Sequence, residues 1–416
     1  PEVLKQKLLE EAKSIFALNR VDSSLGQFHL PSHNSYPRFF GWDSGWNVIS
    51  QSAFDPEGAI LELEAIFNGF QTESGLVAHE ALIPEFDKAR DPTYIWLGDK
   101  YFDQQGRCRI IDPPSFLVSA EVLYQKTKDQ RVLALLPKME KCLEYLLGPR
   151  DLFRDGLVSI IHPWEAGTDL TPAFDKALGI NINNPFELIK IGKKLSQIIS
   201  DCAALDWELK KIAEDNKFVF EDLCMNSLTA AGAVSVSELF KAAGNEQKAK
   251  HWRDRAKAMV LAMEKIFWDN EAGFFFPRWD LQKKKIARRK SLPGMMPLLT
   301  GLLSQDKAQR VIDNYLLSAH HFWGPWLVPF NSITEMKNEN TLFVRGLLWR
   351  GPCIWINMNW MAARLADRHG RPELARTITQ RTAQLVWLNG FREYYNPEDG
   401  SGQGAQNFTW PALVLD

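Results

Sequence analysis

Residues 355–391 read WINMNWMAARLADRHGRPELARTITQRTAQLVWLNGF. Apolar side chains recur at three- and four-residue steps, as in Met358, Met361, Ala362 and Leu365 and again in Leu374 and Ile378. That is the stripe of an amphipathic helix, not the alternation of a strand. Gly370 stands where a helix C′ residue adopts a left-handed conformation. Pro372 stands at the first position of a second helix, where its missing N–H is not needed. The stretch is a helical hairpin, and its short turn forces the two helices to lie antiparallel.

The same design returns along the chain. Residues 116–147, FLVSAEVLYQKTKDQRVLALLPKMEKCLEYLL, break once at Lys128-Asp129, and residues 233–268, AVSVSELFKAAGNEQKAKHWRDRAKAMVLAMEKIFW, break at Gly244-Asn245. Further pairs are read at 43–70, where Asp55-Pro56-Glu57 caps the second helix, and at 291–317. Strand-like runs are few and short. Repeated hairpins leave two architectures, an open solenoid or a closed ring. A solenoid has short, regular connections, whereas 71–113, 149–182, 199–224 and 318–345 are long and irregular. Long ordered loops on a helical scaffold usually carry function. The expected fold is all-α: one (α/α)6 barrel, a single domain over residues 1–416, with no β domain.

Charge and motif content exclude several functions. A net charge of −2 provides no global field for nucleic acid or an anionic membrane. The basic run KKKIARRK at 283–290 is cancelled by acidic stretches elsewhere and reads as a solvated loop. Five scattered cysteines without a CxxC fit a reducing compartment, so a cytoplasmic location is expected. The opening PEVLKQKLLEEAKSIFAL is amphipathic and charged, unlike a signal peptide or a membrane span. GSGQGA at 400–405 has too little chain after it for a nucleotide-binding βαβ unit. There is no P-loop, GxSxG or HExxH, and the adjacent His320 and His321 would diverge on regular structure. No metal or cofactor is expected.

What remains is carboxylates on glycine- and aromatic-rich loops: FFGWDSGWN at 39–47, HPWEAGTD at 162–169 and FREYYNPEDGSGQGAQNFTW at 391–410. Cleaving a glycosidic bond needs one carboxylic acid to protonate the leaving oxygen and one carboxylate to activate water or attack. Aromatic walls and short polar groups hold the sugar ring, and a chain with 15 Trp and 25 Phe has aromatic side chains to spare. The plainer reading makes Asp43 and Asp55 helix N-caps and places Trp42 and Trp410 in the core.

GWDSGW, HPWEAGTDLTP, WRGPCIWINMNW and FREYYNPEDGSGQGAQNFTW follow one another in an order that resembles the family 63 glycoside hydrolases, over about Tyr36 to Trp410. The likeness is greatest to the bacterial branch that includes mannosylglycerate and glucosylglycerate hydrolases. It implies an (α/α)6 barrel and an inverting mechanism, with Asp169 as general acid and Glu393 as general base. It sets Trp42 and Asp43 against the sugar with Tyr36 nearby, and Trp349, Arg350 and Trp355 in contact with it. On the 162–169 loop, Gly167 lets the backbone approach the ligand, Trp164 forms a wall of the pocket, and Glu165 is the rival acid, ranked second as a hydrogen-bonding residue for sugar or loop. His79, near the motif loops, is also expected among the substrate-binding residues. Leu348 departs from the family, which usually has an aromatic there. The expected partner is a small sugar substrate, with Arg38, Arg350 and Tyr36 available for an anionic aglycone and the loops 71–113 and 199–224 as lids. Two alternatives stand beside this one. A sugar epimerase on the same barrel would need paired histidines in the cleft, for which only His79 and His162 lie near the motif loops. A sugar-binding protein that had lost its reaction would not need both Asp169 and Glu393.

Overall fold

The computed structural model describes residues 2–181, 190–337 and 348–416. The hairpin at 355–391 forms helices Ile356–Arg368 and Pro372–Asn389. Gly370, at φ +74°, supplies the left-handed turn residue, and Pro372 opens the second helix. The hairpin at 43–70 becomes Gly41–Gln51 and Pro56–Asn68, with the Asp55 carboxylate accepting the Gly58 N–H. The 116–147 stretch becomes Ser115–Thr127, a short Gln130–Ala134 and Leu136–Leu147. In the 233–268 hairpin the first helix starts earlier than expected, running Leu223–Ala242 before Glu246–Ile266. Its opening LCMNSLTAAG is buried on every side, so it has no polar face to reveal a helical period. The 291–317 pair is tighter than an α hairpin: a 3₁₀ segment Leu292–Thr300, with Pro297 inside it, precedes Gln305–Val311 and a π turn Ile312–Leu316.

These elements close into a double ring. Gly41–Gln51, Ser115–Thr127, Leu223–Ala242, Leu292–Thr300, Ile356–Arg368 and Trp410–Leu415 each pack on the next, and the last packs back on the first. The outer helices lie against this inner ring, and the N-terminal helix Glu2–Asn19 packs on Trp410–Leu415. The two ends of the chain thus supply the sixth pair. Inner helices approach closely where side chains are missing. A Cβ on Gly45 would lie 2.1 Å from Ser115 Oγ, and one on Gly232 would lie 2.9 Å from Leu117 Cβ. Leu223–Ala242 is long and apolar enough to cross a membrane, but it is an inner-ring helix and almost wholly buried.

Among the described residues the strands are short and form two-stranded antiparallel pairs and one three-stranded sheet. The expected long loop at 199–224 is a correction: it holds the end of helix Ile191–Ala204, helix Leu209–Asp215 and strand Phe220–Glu221. Asp206, Trp207 and Asn216 take positive φ between these pieces, so the segment turns sharply without glycine. Residue 182 of the expected loop at 149–182, and 338–345 of that at 318–345, lie outside the described residues. The basic run at 283–290 is largely paired, with Lys285 on Asp280, Arg288 on Asp269 and Lys290 on Glu335.

Candidate active site

Three inner-ring elements present their N-terminal ends to one cavity. Trp42 and Asp43 lie in the first turn of Gly41–Gln51, Trp355 is the N-cap of Ile356–Arg368, and Trp410 opens the last 3₁₀ helix. Tyr36, Phe40, His79, Gly167, Asp169, Trp349, Glu393, Phe408 and Pro31 complete the lining. Trp349 and Trp355 stack at 3.6 Å between ring centroids, and Trp410 meets both at 5.9–6.3 Å. The indole N–H groups of Trp42, Trp355 and Trp410 are buried without a hydrogen-bond partner among the described residues. Buried donors of this kind normally find an acceptor.

Glu393 reaches the cavity from the hairpin Arg392–Tyr395/Gly402–Gln406, whose register shifts between Arg392 and Tyr394. One carboxylate oxygen accepts the Tyr36 hydroxyl at 2.7 Å and the other accepts the Ala405 N–H at 2.8 Å. The backbone comes this close because residue 404 is glycine. It sits at φ +65°, and a Cβ there would lie 2.4 Å from Glu393 Oε2. Burial raises the Glu393 carboxyl, and the Ala405 and Tyr36 donors pull it back. Burial and the Glu393 charge together raise the Tyr36 phenol, so it remains a donor.

Asp169 reaches the cavity from the 162–175 loop. Burial lifts its carboxyl to about 7, with the His79 charge acting against the lift and the Asp112 and Glu393 charges adding to it. Asp169 and Glu393 both line the cavity. Four residues earlier, Glu165 is fully buried and faces away from the cavity. Its oxygens accept Arg150 at 3.0 and 2.5 Å, the Ile111 N–H at 3.0 Å and the Ile161 N–H at 2.6 Å. Expected as a hydrogen-bonding residue for sugar or loop, it lies outside the cavity lining and anchors the loop. Gly167, at φ +66°, lies on the indole of Trp42, where a Cβ would come within 3.0 Å of the ring.

Opposite them, His79 Nδ1 bonds Asp112 Oδ1 at 2.7 Å, and the other Asp112 oxygen accepts the Trp42 N–H at 2.7 Å. Burial works against a charged imidazole here, but Asp112 outweighs it and raises His79 to about 9. Asp43 is held well above the ordinary carboxylate range, first by burial and then by the Asp112 charge.

Other expected contacts fall outside the lining. Trp164 stands behind His79, nearly parallel to it at 6.4 Å, and touches Trp96 and Tyr101. Arg350 is buried on Asp175 at 2.8 and 2.6 Å and on the Leu170 carbonyl, tying the Asp169 loop to the Trp349 segment. Arg38 is taken up by Glu80 and Asp91 at 2.5 and 2.7 Å. His162 is buried, held by the Trp164 N–H and the Leu195 carbonyl and depressed to about 3 by burial, so it makes no pair with His79 in the cavity. Sequence reasoning missed Asp112 and Arg150. The one signal for Asp112 was its place before Pro113-Pro114 at the entry to an inner helix.

Residues 36–411 match the family described as the mannosylglycerate hydrolase MGH1-like glycoside hydrolase domain. A mannosylglycerate hydrolase of Thermus thermophilus is 29% identical, over 97% of this chain and 98% of its own length. The glucosylglycerate hydrolase of Mycolicibacterium hassiacum is 21% identical, over 97% and 96%. A crystal structure of a family 63 mannosylglycerate hydrolase from Thermus thermophilus, in complex with Tris and D-glycerate, superposes with a TM-score of 0.80 at 25% identity, covering 98% of each chain. The chain belongs to the MGH1-like branch of the family 63 glycoside hydrolases.

Proposed function

We propose that this glycoside hydrolase cleaves a small α-glycoside such as mannosylglycerate or glucosylglycerate with inversion at the anomeric carbon. Asp169 is the general acid: its proton passes to the glycosidic oxygen as the C1–O bond breaks. Glu393 is the general base: it takes a proton from the water that attacks C1 from the opposite face, giving the free sugar of inverted anomer and free glycerate. Exchange with solvent then restores the proton to Asp169 and removes it from Glu393. The observation that carries this reading is the contrast between two carboxyls at one cavity. Burial raises both, Asp169 to about 7, but Glu393 also accepts two hydrogen bonds that favour its ionised form and pull it back. An acid and a base that work together need environments that push their pKa values apart.

The Asp43 carboxyl, which lines the cavity, and the three unpartnered indole N–H groups suit the hydroxyls of one sugar ring. Arg38 and Arg350 are engaged elsewhere, so neither is proposed to hold the glycerate carboxylate. The five cysteines are free and buried, which fits a reducing, cytoplasmic setting. A panel of α-glycosyl-glycerates and longer α-glucans, followed by anomeric proton NMR, tests the reading. Glycosyl-glycerates should be hydrolysed with the β-anomer appearing first. Hydrolysis of long glucans with no action on glycosyl-glycerates, or initial release of the α-anomer, overturns it.

A further inference from the structure

Asp112 lies outside the cavity lining and is 2% exposed, yet its two oxygens do separate work. Oδ1 binds His79 Nδ1 and Oδ2 accepts the Trp42 N–H, both at 2.7 Å. The groups around this carboxylate are held on every side. Ser115 Oγ, three residues on, donates to the Trp42 carbonyl at 2.8 Å. The Gly41 N–H donates to the His79 carbonyl and the His79 N–H to the Ile110 carbonyl, both at 3.0 Å. The imidazole is held by the near-parallel Trp164 and by the edge of Phe40 at 5.6 Å. Its second nitrogen, Nε2, has no hydrogen bond to the described residues, and the ring lines the cavity.

We propose that Asp112 is the positioning residue of this site: it holds His79 so that Nε2–H is a permanent donor toward the cavity, and it pins the helix turn that carries Trp42 and Asp43. The inference rests on the hydrolase reading only for its kinetic arm. A carboxylate on Nδ1 fixes the tautomer and favours the imidazolium, the logic by which a buried carboxylate orients a histidine elsewhere. The charged groups felt by the imidazole are Asp112, Glu80 and Asp169, and its own charge acts in turn on Asp43 and His162. The consequence falls on Asp169. When its proton leaves for the glycosidic oxygen, the new carboxylate has a cation beside it.

The experiment is a pH titration of His79 by ¹⁵N NMR of histidine-labelled protein, on the unaltered chain and on Asp112→Asn, paired with kcat and KM measured against pH. In the unaltered protein His79 should titrate near 9, and in Asp112→Asn it should fall by more than one unit. With Asp169 near 7, the alkaline limb of the unaltered enzyme reports one proton. In Asp112→Asn that limb should move to lower pH and steepen toward two protons, because His79 now discharges in the same range. A merely structural role would lower the melting temperature and kcat alike at every pH and leave the His79 titration in place. That result overturns the proposal. So does a titration of His79 at or below its ordinary value of about 6.5 in the unaltered protein, which needs no variant to fold. If no glycoside is hydrolysed, the hydrolase reading fails while the NMR titration still decides this one.

Discussion

The loop at 162–175 and the hairpin at 392–406 each bring one carboxyl to the cavity, and they support it in opposite ways. Glu393 is fastened by a hydroxyl and a backbone N–H, with Gly404 keeping the second strand close enough to donate. The Asp169 loop spends its hydrogen bonds elsewhere: four donors converge on Glu165, and Arg350 with Asp175 clamps its far end. Its backbone is fixed while the Asp169 carboxyl is governed by burial and nearby charge, with a hydrogen bond from its own backbone N–H acting as a lesser, opposing effect. On the proposed roles, acid and base are separated by where the hydrogen-bond donors go, even though both groups are carboxyls lining the same cavity.

The largest expected effects test that division directly. Asp169→Asn and Glu393→Gln should each lower kcat by about 10²–10⁴-fold, the usual worth of general acid or base help, with KM changed much less. The two variants should part on a glycosyl fluoride, whose leaving group needs no protonation. Asp169→Asn should recover much of its rate there, and Glu393→Gln should not. Equal losses on both substrates would break the comparison.

The second test exchanges activity for stability. Glu165→Gln leaves Arg150 buried without its counter-charge, and breaking a buried pair costs about 3–5 kcal/mol. Denaturant unfolding should show that loss, whereas Asp169→Asn should be at least as stable as the parent at pH 8. The sign follows from Asp169 being raised in the folded state. The folded protein holds a proton that the unfolded chain releases, so this group makes stability fall as pH rises between about 4 and 7. Replacing it removes that decline. If Glu165→Gln were neutral for stability but lethal for turnover, the roles assigned to the two acids would be reversed.

Five hairpins of the barrel were legible because amphipathic stripes, Gly370, Gly244 and Pro372 punctuate them. The sixth was not. Trp410–Leu415 is six residues of 3₁₀ helix, too short for a period, and its partner Glu2–Asn19 lies at the other end of the chain. The site shows the same divide. Aromatic-glycine loops pointed to three segments, and the family resemblance singled out Trp42, Asp169 and Glu393 within them; these meet at one cavity. They could not say which way Glu165 faces inside its single 3₁₀ turn, nor that Arg350 would find Asp175, because both depend on partners distant in sequence.

The hairpin's side of the comparison is sharpened by Gly404→Ala. At φ +65° an L-residue costs about 1–2 kcal/mol, and the new methyl would push on the Glu393 carboxylate itself. Stability and kcat should fall together, the loss in kcat exceeding what the loss in folded population explains. Gly167→Ala meets an indole face at 3.0 Å, not a carboxylate oxygen, so its effect on kcat should be smaller at similar strain.

The smallest expected effect isolates one hydrogen bond. Tyr36→Phe removes the hydroxyl from Glu393 Oε1 and leaves the Ala405 N–H on Oε2. A donor to a carboxylate favours its ionised form, so its loss raises the Glu393 pKa above a value that burial has already lifted. A general base works only when ionised, and it is lost as pH falls through its pKa. The acid limb of kcat should therefore move to higher pH while the alkaline limb, set by Asp169, stays in place. The bell narrows from one side. A hydrogen bond to a charged group is worth roughly 1.5–3 kcal/mol, so the limb should move by about one to two units, with a modest change at the optimum. Movement of the alkaline limb instead would mean that Tyr36 serves the Asp169 side of the cavity, and the division of labour between loop and hairpin would have to be redrawn.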